Sequence, residues 1–153
     1  MTESTAKTRI RCREIMTSDV MTATRQHSLQ DVARLMREGD MGSVPVVEDG
    51  KLVGIVTDRD IVVRAIAEGK DATSSAVEAM TTDIFSVKPD DFAFEAIRLM
   101  GDKQVRRIPV VDDDGRLAGI IAMADVALEM EDEKEIAETL EEISSGMGFW
   151  KKR

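Results

Sequence analysis

The chain has one cysteine, one histidine and few aromatic residues (3%), and no apolar run reaches the length a membrane helix needs. A lone Cys12 excludes an intramolecular disulfide, a CxxC redox pair and a cysteine-based zinc finger, and it reads as a spectator thiol. His27, between Gln26 and Ser28, is equally alone, so acid–base or metal chemistry would have to be built almost wholly from carboxylates. A surface-loop histidine is the plainer reading. The N-terminal stretch MTESTAKTRIRCRE lacks the apolar core of a secretory signal, which makes the cytoplasm the expected location. With 30 Asp+Glu against 21 Lys+Arg the net charge is -9, which argues against nucleic acid or an anionic membrane as a partner. A phosphate-bearing ligand would have to be met by a local basic cluster. What is present is 153 residues, 42% hydrophobic and 33% charged, enough for one ordinary core or two small ones.

The most informative feature is an internal repeat. A shift of 64 lays Glu14-Ile15-Met16-Thr17-Ser18-Asp19 over Glu78-Ala79-Met80-Thr81-Thr82-Asp83, Arg34-Leu35-Met36 over Arg98-Leu99-Met100, and Val44-Pro45-Val46-Val47 over Ile108-Pro109-Val110-Val111. One extra residue among Asp112 to Asp114 makes the shift 65 and brings Gly50-Lys51-Leu52-Val53-Gly54-Ile55 over Gly115-Arg116-Leu117-Ala118-Gly119-Ile120, with Asp60 on Asp125. The two copies share 15 identities over 49 aligned positions, spread along the whole unit, so coincidence is a poor explanation. The repeat divides the chain into a flexible N-terminus (1–12), unit one (13–69), a linker (70–76), unit two (77–130) and a C-terminal segment (131–153).

Each unit reads the same way locally. Val20-Met21-Thr22 and Ile84-Phe85-Ser86 are short extended lead-ins. An apolar stripe at helical spacing follows in unit one, Leu29, Val32, Ala33, Leu35 and Met36, with Ser28 as N-cap, Asp31 three residues later and Gly39 as the stop. Val44 to Val47, the turn Glu48-Asp49-Gly50, and Leu52 to Val56 read as a β-hairpin. A second helix begins near Asp58 and carries Ile61, Val62, Ala65 and Ile66 before Gly69. The unit is strand, helix, strand, strand, helix, an α/β (α+β) pattern. Its hairpin has an apolar face too large to leave in water, so the expected architecture is two βαββα units packed sheet to sheet with pseudo-twofold symmetry.

The order of elements and the phrases MGSVPVVEDGKLVGIVTDRDI and VRRIPVVDDDGRLAGIIAMADV resemble the cystathionine-β-synthase (CBS) domain, here as the tandem pair called a Bateman module. The likeness covers about Arg13 to Met130. Thr57-Asp58-Arg59-Asp60-Ile61-Val62 is also similar to small stand-alone bacterial and archaeal proteins of this family. The resemblance implies pseudo-symmetric clefts between the paired sheets that accept adenosine-containing ligands: AMP, ADP, ATP, NAD or S-adenosylmethionine, with no required cofactor. A carboxylate closing Gly-x-x-Thr-x-x-Asp accepts two hydrogen bonds from the ribose hydroxyls, and the Thr adds a polar contact. Unit one has both, as Thr57 and Asp60. Unit two has Asp125 but Ala122 in place of the Thr. Helix capping is the plain alternative for Thr57 and Asp60, and it does not exclude ligand binding.

By the same resemblance the adenine lies against backbone groups near Thr22 and Ala23 and near Val44, Pro45 and Val46, with Ile108 the matching strand residue in unit two. Arg106 and Arg107, before the second hydrophobic-Pro pair, face the phosphates; unit one has Gly42 and Ser43 there. Two adjacent arginines in an acidic protein invite an anion, unless Asp112 or Asp113 pairs with them. Arg59 and Arg64 are weaker candidates. Met16, Met80, Met36 and Met100 recur at equivalent positions and read as core filling. The linker from Glu68 to Ser75 reads as a simple polar connection.

Glu131 to Ile143 reads as an acidic helix with a stripe of Ile136, Leu140 and Ile143, docked on the module, across a dimer, or on another protein. Phe149-Trp150 ends the chain with a basic cluster, as a frayed terminus or an anchor. A homodimer is implied by the resemblance, with Ala65, Ile66, Val126 and Leu128 as seam candidates. Function therefore reads as a ligand-sensing regulatory module acting on an unknown protein target, with a dimeric interaction or stress-related scaffold as the alternative. An enzyme is disfavoured, because no nucleophile–base pair, metal cage or phosphate loop is visible.

Overall fold

The computed structural model describes residues 10–129 and residue 141. The expected acidic helix, apart from the helical position Glu141, and the Phe149-Trp150 end lie outside the described residues. In chain order the elements are α1 (Cys12–Ile15), α2 (Leu29–Gly39), β1 (Ser43–Glu48), β2 (Lys51–Thr57), α3 (Asp58–Asp60) continued by a π-helical turn (Ile61–Ile66), and a 3-10 turn (Ala76–Glu78). They are followed by α4 (Ala93–Lys103), β3 (Arg107–Val111), β4 (Leu117–Ala122) and α5 (Met123–Glu129). The α/β character read from the sequence is what the chain adopts, as two small antiparallel sheets, β1-β2 and β3-β4.

Two compact units are formed. One, the first-hairpin unit, comprises Val20–Ile84 and Asp114–Leu117; the other, the second-hairpin unit, takes the chain up to Asp19, then Phe85–Asp113, then Ala118 onward. The stretch heading each repeat is thereby exchanged. Thr81, from the second repeat, exchanges backbone bonds with Ile55 of β2, while Thr17, from the first, does the same with Ile120 of β4.

In the first-hairpin unit the turn is fixed by residue chemistry. Asp49 and Gly50 sit at φ 52° and 79° between the paired residues Glu48 and Lys51, the double left-handed turn that Asp-Gly favours because its twist matches that of the strands. Val46 pairs with Gly54 but Val47 with Leu52, so Val53 is the extra residue of a bulge. The lead-ins Val20-Met21-Thr22 and Ile84-Phe85-Ser86 form no strand; the residue after each makes a single bridge, Ala23 in parallel with Val46 and, in the other unit, Val87 with Val110. The core of the first-hairpin unit gathers Leu29, Val32, Val44, Val46, Val56 and Met80.

Helix α2 starts as its sequence predicts. Ser28 Oγ accepts the Asp31 N–H at 3.1 Å and Asp31 Oδ2 accepts the Ser28 N–H at 2.9 Å. The bond from Ser28 N–H, then that from its hydroxyl, holds the Asp31 carboxyl below the usual carboxylate range. The linker does more than connect: the carbonyls of Ser74 and Ala72 accept the N–H groups of Leu29 and Gln30, two of the donors a helix start leaves without internal partners. His27 belongs to the same turn, its Nδ1 accepting the Thr24 N–H at 2.8 Å.

Four expectations are corrected here. Ala33 is exposed, because the buried stripe of α2 is Leu29 and Val32. Gly39 is the last helical residue, and the left-handed stop is Asp40 at φ 48°. The second helix is α-helical only to Asp60; beyond it Ala67 N–H bonds Val62 O and Lys70 N–H bonds Ala65 O, five residues back, so the angular spacing changes. Ala65 turns into the core while Val62, Val63 and Ile66 are 55%, 50% and 64% exposed. Of the seam candidates, Ala65 and Val126 are therefore core residues, Ile66 is exposed, and the Leu128 side chain lies outside the described residues.

The second-hairpin unit packs α1 and α4 with β3, β4 and α5 around Ile97, Met100, Ile108, Val110, Ile121 and Val126. An aromatic ladder joins its N-terminal segment to α4: the Arg11 guanidinium lies 4.7 Å from the Phe92 ring centre, Phe92 stacks on Phe94 at 5.8 Å, and Arg98 closes it at 5.4 Å. Met100 is fully buried, Met80 nearly so, and Met16 and Met36 flank the two cores.

Cys12 is also buried in this core, and loss of water pushes its thiol up to about 12, with the Asp91 and Glu95 charges adding to the effect. The folded state therefore holds this proton more tightly than the unfolded chain, whose thiol titrates near 9.0. Stability from this group is complete below about pH 9 and lost as pH rises towards 12. Denaturation at pH 8 and pH 10 should show a larger alkaline loss for the wild type than for Cys12→Ala; equal losses would refute this.

Candidate functional site

Strand β2 ends at Thr57, opposite Ser43 at the open end of the hairpin. The chain then turns directly into α3, and the i, i+3 geometry of a helix start brings Thr57 and Asp60 together. Thr57 Oγ1 accepts the Asp60 N–H at 3.0 Å, and Asp60 Oδ2 accepts the Thr57 N–H at 3.0 Å. The capping alternative is thus realised, and the carboxylate is not consumed by it. Two further groups face Asp60: the Thr81 hydroxyl lies 3.5 Å from Oδ2, and the Arg64 Nε lies 3.7 Å from Oδ1. A carboxylate offers about four lone-pair sites. Asp60 has one short bond and two long contacts, and its side chain is 15% exposed, so Oδ1 can still accept hydroxyl donors from a bound molecule.

The equivalent position in the second-hairpin unit shows what the missing hydroxyl does. Asp125 Oδ2 accepts the Ala122 N–H at 3.0 Å, so half of the arrangement survives. Ala122 has no side-chain oxygen to return the bond to the Asp125 N–H. The same asymmetry marks α2 and α4, where Ser28 and Asp31 bond reciprocally, whereas Phe92 donates its N–H to Glu95 Oε2 at 3.1 Å and has no side-chain oxygen to accept a bond in return.

The residues expected to line an adenine sit along β1 and beside it. Ala23, Val44, Pro45 and Val46 are fully buried, and the Ala23 N–H and carbonyl are spent on Pro45 O and Val47 N–H at 2.9 Å each. Ile108 is likewise core. Their backbone and side chains hold the sheet together, which leaves half-buried Thr22 as the accessible member of that set. Ala23 pairs with β1 and Thr81 with β2, so these two residues sit on opposite edges of the same small sheet.

Arg106 and Arg107 are exposed at the start of β3, and among the described residues neither makes an ion pair. Of the two acids expected to compete for them, Asp112 and Asp113, the second is held by Lys88 at 2.6 Å. Their counterparts in the first repeat have the opposite character: a Cβ on Gly42 would lie 3.2 Å from the Asp58 carboxylate. An anion is therefore favoured beside Arg106 and Arg107 and disfavoured beside Gly42. Arg59 is exposed, its N–H taken by Asp58 Oδ1 at 2.8 Å. Thr81 was missed at the level of sequence; its match to Thr17 was visible, but nothing local said which hairpin it would join.

Among the described residues no cluster of three or more His, Cys, Asp or Glu side chains is placed to hold a metal ion, and no helix is long and apolar enough to cross a membrane.

The pattern of paired hairpins, each followed by a helix opened by a carboxylate, has counterparts among known proteins. Over 132 residues the chain is 36% identical to the CBS domain-containing protein YhcV of Bacillus subtilis, covering 86% of this chain and 94% of that one. The crystal structure of Hypoxic Response Protein I with two coordinated zinc ions matches with a TM-score of 0.72 at 36% identity, over 78% of this chain and 98% of that one. The CBS domain pair of protein MJ0100, in complex with 5′-methylthioadenosine and S-adenosyl-L-methionine, matches with a TM-score of 0.70 at 28% identity, over 77% and 93%. Because the family model for the CBS domain fits twice, at residues 12–66 and 75–132, each time over one hairpin and its helices, the chain belongs to the CBS-domain family as a tandem pair.

Proposed function

We propose that this chain is a cytoplasmic ligand-sensing module that binds an adenosine-containing ligand of the AMP, ADP, ATP, NAD or S-adenosylmethionine type and thereby alters its interaction with a protein target. The observation that carries this reading is Asp60: a largely shielded carboxylate, fixed by Thr57, with acceptor capacity left on Oδ1 for a ribose diol. The adenosyl ligands of the MJ0100 pair supply the ligand class. Arg106 and Arg107, without an ion-pair partner among the described residues, favour a phosphorylated member of it. No step of catalysis is proposed. A scaffold function is the second reading, and Ala122 and Gly42 favour it, because each removes a ligand-directed group from one repeat.

The deciding experiment is thermal unfolding with and without each of the five compounds. A ligand that binds only the folded state at 100 times its Kd stabilises by about 2.7 kcal/mol, which for a chain of this size raises the midpoint by roughly 5–10 °C. The rise should vanish in Asp60→Asn, whose amide oxygen can still cap Thr57 while lacking the second acceptor. Flat curves for all five at millimolar concentration would abandon this reading for the scaffold.

We also propose a homodimer, formed on the exposed apolar face of Val62, Val63 and Ile66, since contiguous exposed branched aliphatics mark association surfaces. Sedimentation should show dimers for the wild type and monomers for Ile66→Asp; an unchanged distribution would exclude this face.

A further inference from the structure

One side chain links Asp60 to the stretch by which the chain leaves the first-hairpin unit. Arg64 lies one helical turn beyond Asp60, its Nε 3.7 Å from Oδ1, and its guanidinium donates to the Met80 carbonyl at 3.3 Å. The next residue, Thr81, faces Asp60 through its hydroxyl at 3.5 Å and is zipped to Ile55 by backbone bonds of 2.8 and 2.9 Å. From Phe85 onward the chain belongs to the other unit. Asp60, Arg64 and Met80-Thr81 thus close a ring of contacts around the carboxylate read as the ligand acceptor.

Three properties suit this ring to transmission rather than to simple bracing. Its side-chain contacts are long, and the Arg64 side chain is 51% exposed, so each is weak and readily exchanged for a better donor. Arg64 stands in the π-helical turn, a winding that is rare overall and frequent at functional sites. Met80 fills the space in front of Gly54, so the Met80-Thr81 stretch rests directly on β2 and a change in its hold is felt by the sheet.

We propose that Arg64 is a positioning residue that ties the Asp60 carboxylate to Met80-Thr81, so that ligand hydroxyls arriving at Asp60 loosen the segment leading from one unit to the other. The inference rests on the adenosine-ligand reading of Asp60. A diol donating to Oδ1 takes the place of the guanidinium, and the freed Arg64 no longer holds the Met80 carbonyl.

Amide exchange at Thr81 tests this, because its N–H is bonded to Ile55 O and reports how firmly the segment is held. Without ligand, Arg64→Gln should exchange about threefold faster at Thr81 than the wild type, the size expected of a weak exposed pair, and Arg64→Lys should restore much of the difference. With whichever of AMP, ADP, ATP, NAD or S-adenosylmethionine raises the unfolding midpoint, wild-type Thr81 exchange should rise by a similar factor, and Arg64→Gln should show no further rise. A raised midpoint with Thr81 exchange unaltered by ligand overturns the inference and leaves the ligand reading standing. Equal Thr81 exchange in ligand-free wild type and Arg64→Gln overturns it as well. If none of the five compounds raises the midpoint, the ligand reading itself fails and takes the coupling with it.

Discussion

Gly119→Ala is expected to destabilise the chain by about 1–3 kcal/mol, towards the upper end of that range, because the added methyl meets backbone. A Cβ at Gly119 would lie 2.6 Å from the Thr17 carbonyl oxygen and 2.8 Å from Met16 Sδ. Thr17 is locked in place by the bonds of 2.8 and 2.9 Å that it exchanges with Ile120, the very next residue, so it cannot withdraw without breaking them. Gly54, the equivalent glycine of the first repeat, makes a natural comparison. A Cβ there meets the Sδ and Cγ of Met80, and a thioether with three rotatable bonds can be displaced where a carbonyl cannot. Chemical denaturation of the two variants should therefore show the larger loss for Gly119→Ala. The opposite order would mean that close backbone approach is not what fixes glycine at this position.

The second large effect lies where the repeats diverge. Ile97 is 1% exposed in the core of the second-hairpin unit, while Ala33, its match in the first repeat, is exposed on α2. Ile97→Ala should lower the unfolding free energy by about 2–5 kcal/mol, the range for large-to-small changes in a well-packed core. Ala33→Ile should stay within about 0.5 kcal/mol, as surface changes usually do. Comparable losses from the two substitutions would show that the repeats are packed alike and that this assignment of their cores is mistaken.

The elements that could be read in advance are those fixed within a few residues. Ser28 with Asp31 and Thr57 with Asp60 cap helices because a side chain three positions on returns to the same N–H, a relation that needs no distant partner. Asp49-Gly50 turns the hairpin because those residues tolerate a positive φ. The repeat itself was legible, and with it the family.

What could not be read was the side of each element that meets its neighbours. The stripe of the second helix was expected to carry Ile61, Val62, Ala65 and Ile66 together, but π winding, set by how the turn packs, buries Ala65 and exposes Val62 and Ile66. Val44, Pro45 and Val46 carry no local sign of how deeply they sit; their side chains are fully buried, and Ala23 bridges the edge of β1 beside Val46.

The sequence by itself determined that there are two copies of one unit, where their hairpins turn, where their helices begin, and that Asp60 has a hydroxyl partner where Asp125 has none. Each of these depends on bonds between residues close along the chain. Only the tertiary structure decided that Thr17 joins the hairpin of the second repeat and Thr81 that of the first, that Ile97 is core where Ala33 is surface, and that Arg64 bridges Asp60 to Met80. These are pairings between distant residues, chosen by which combination buries the most apolar surface while satisfying the backbone, and no local period records that choice.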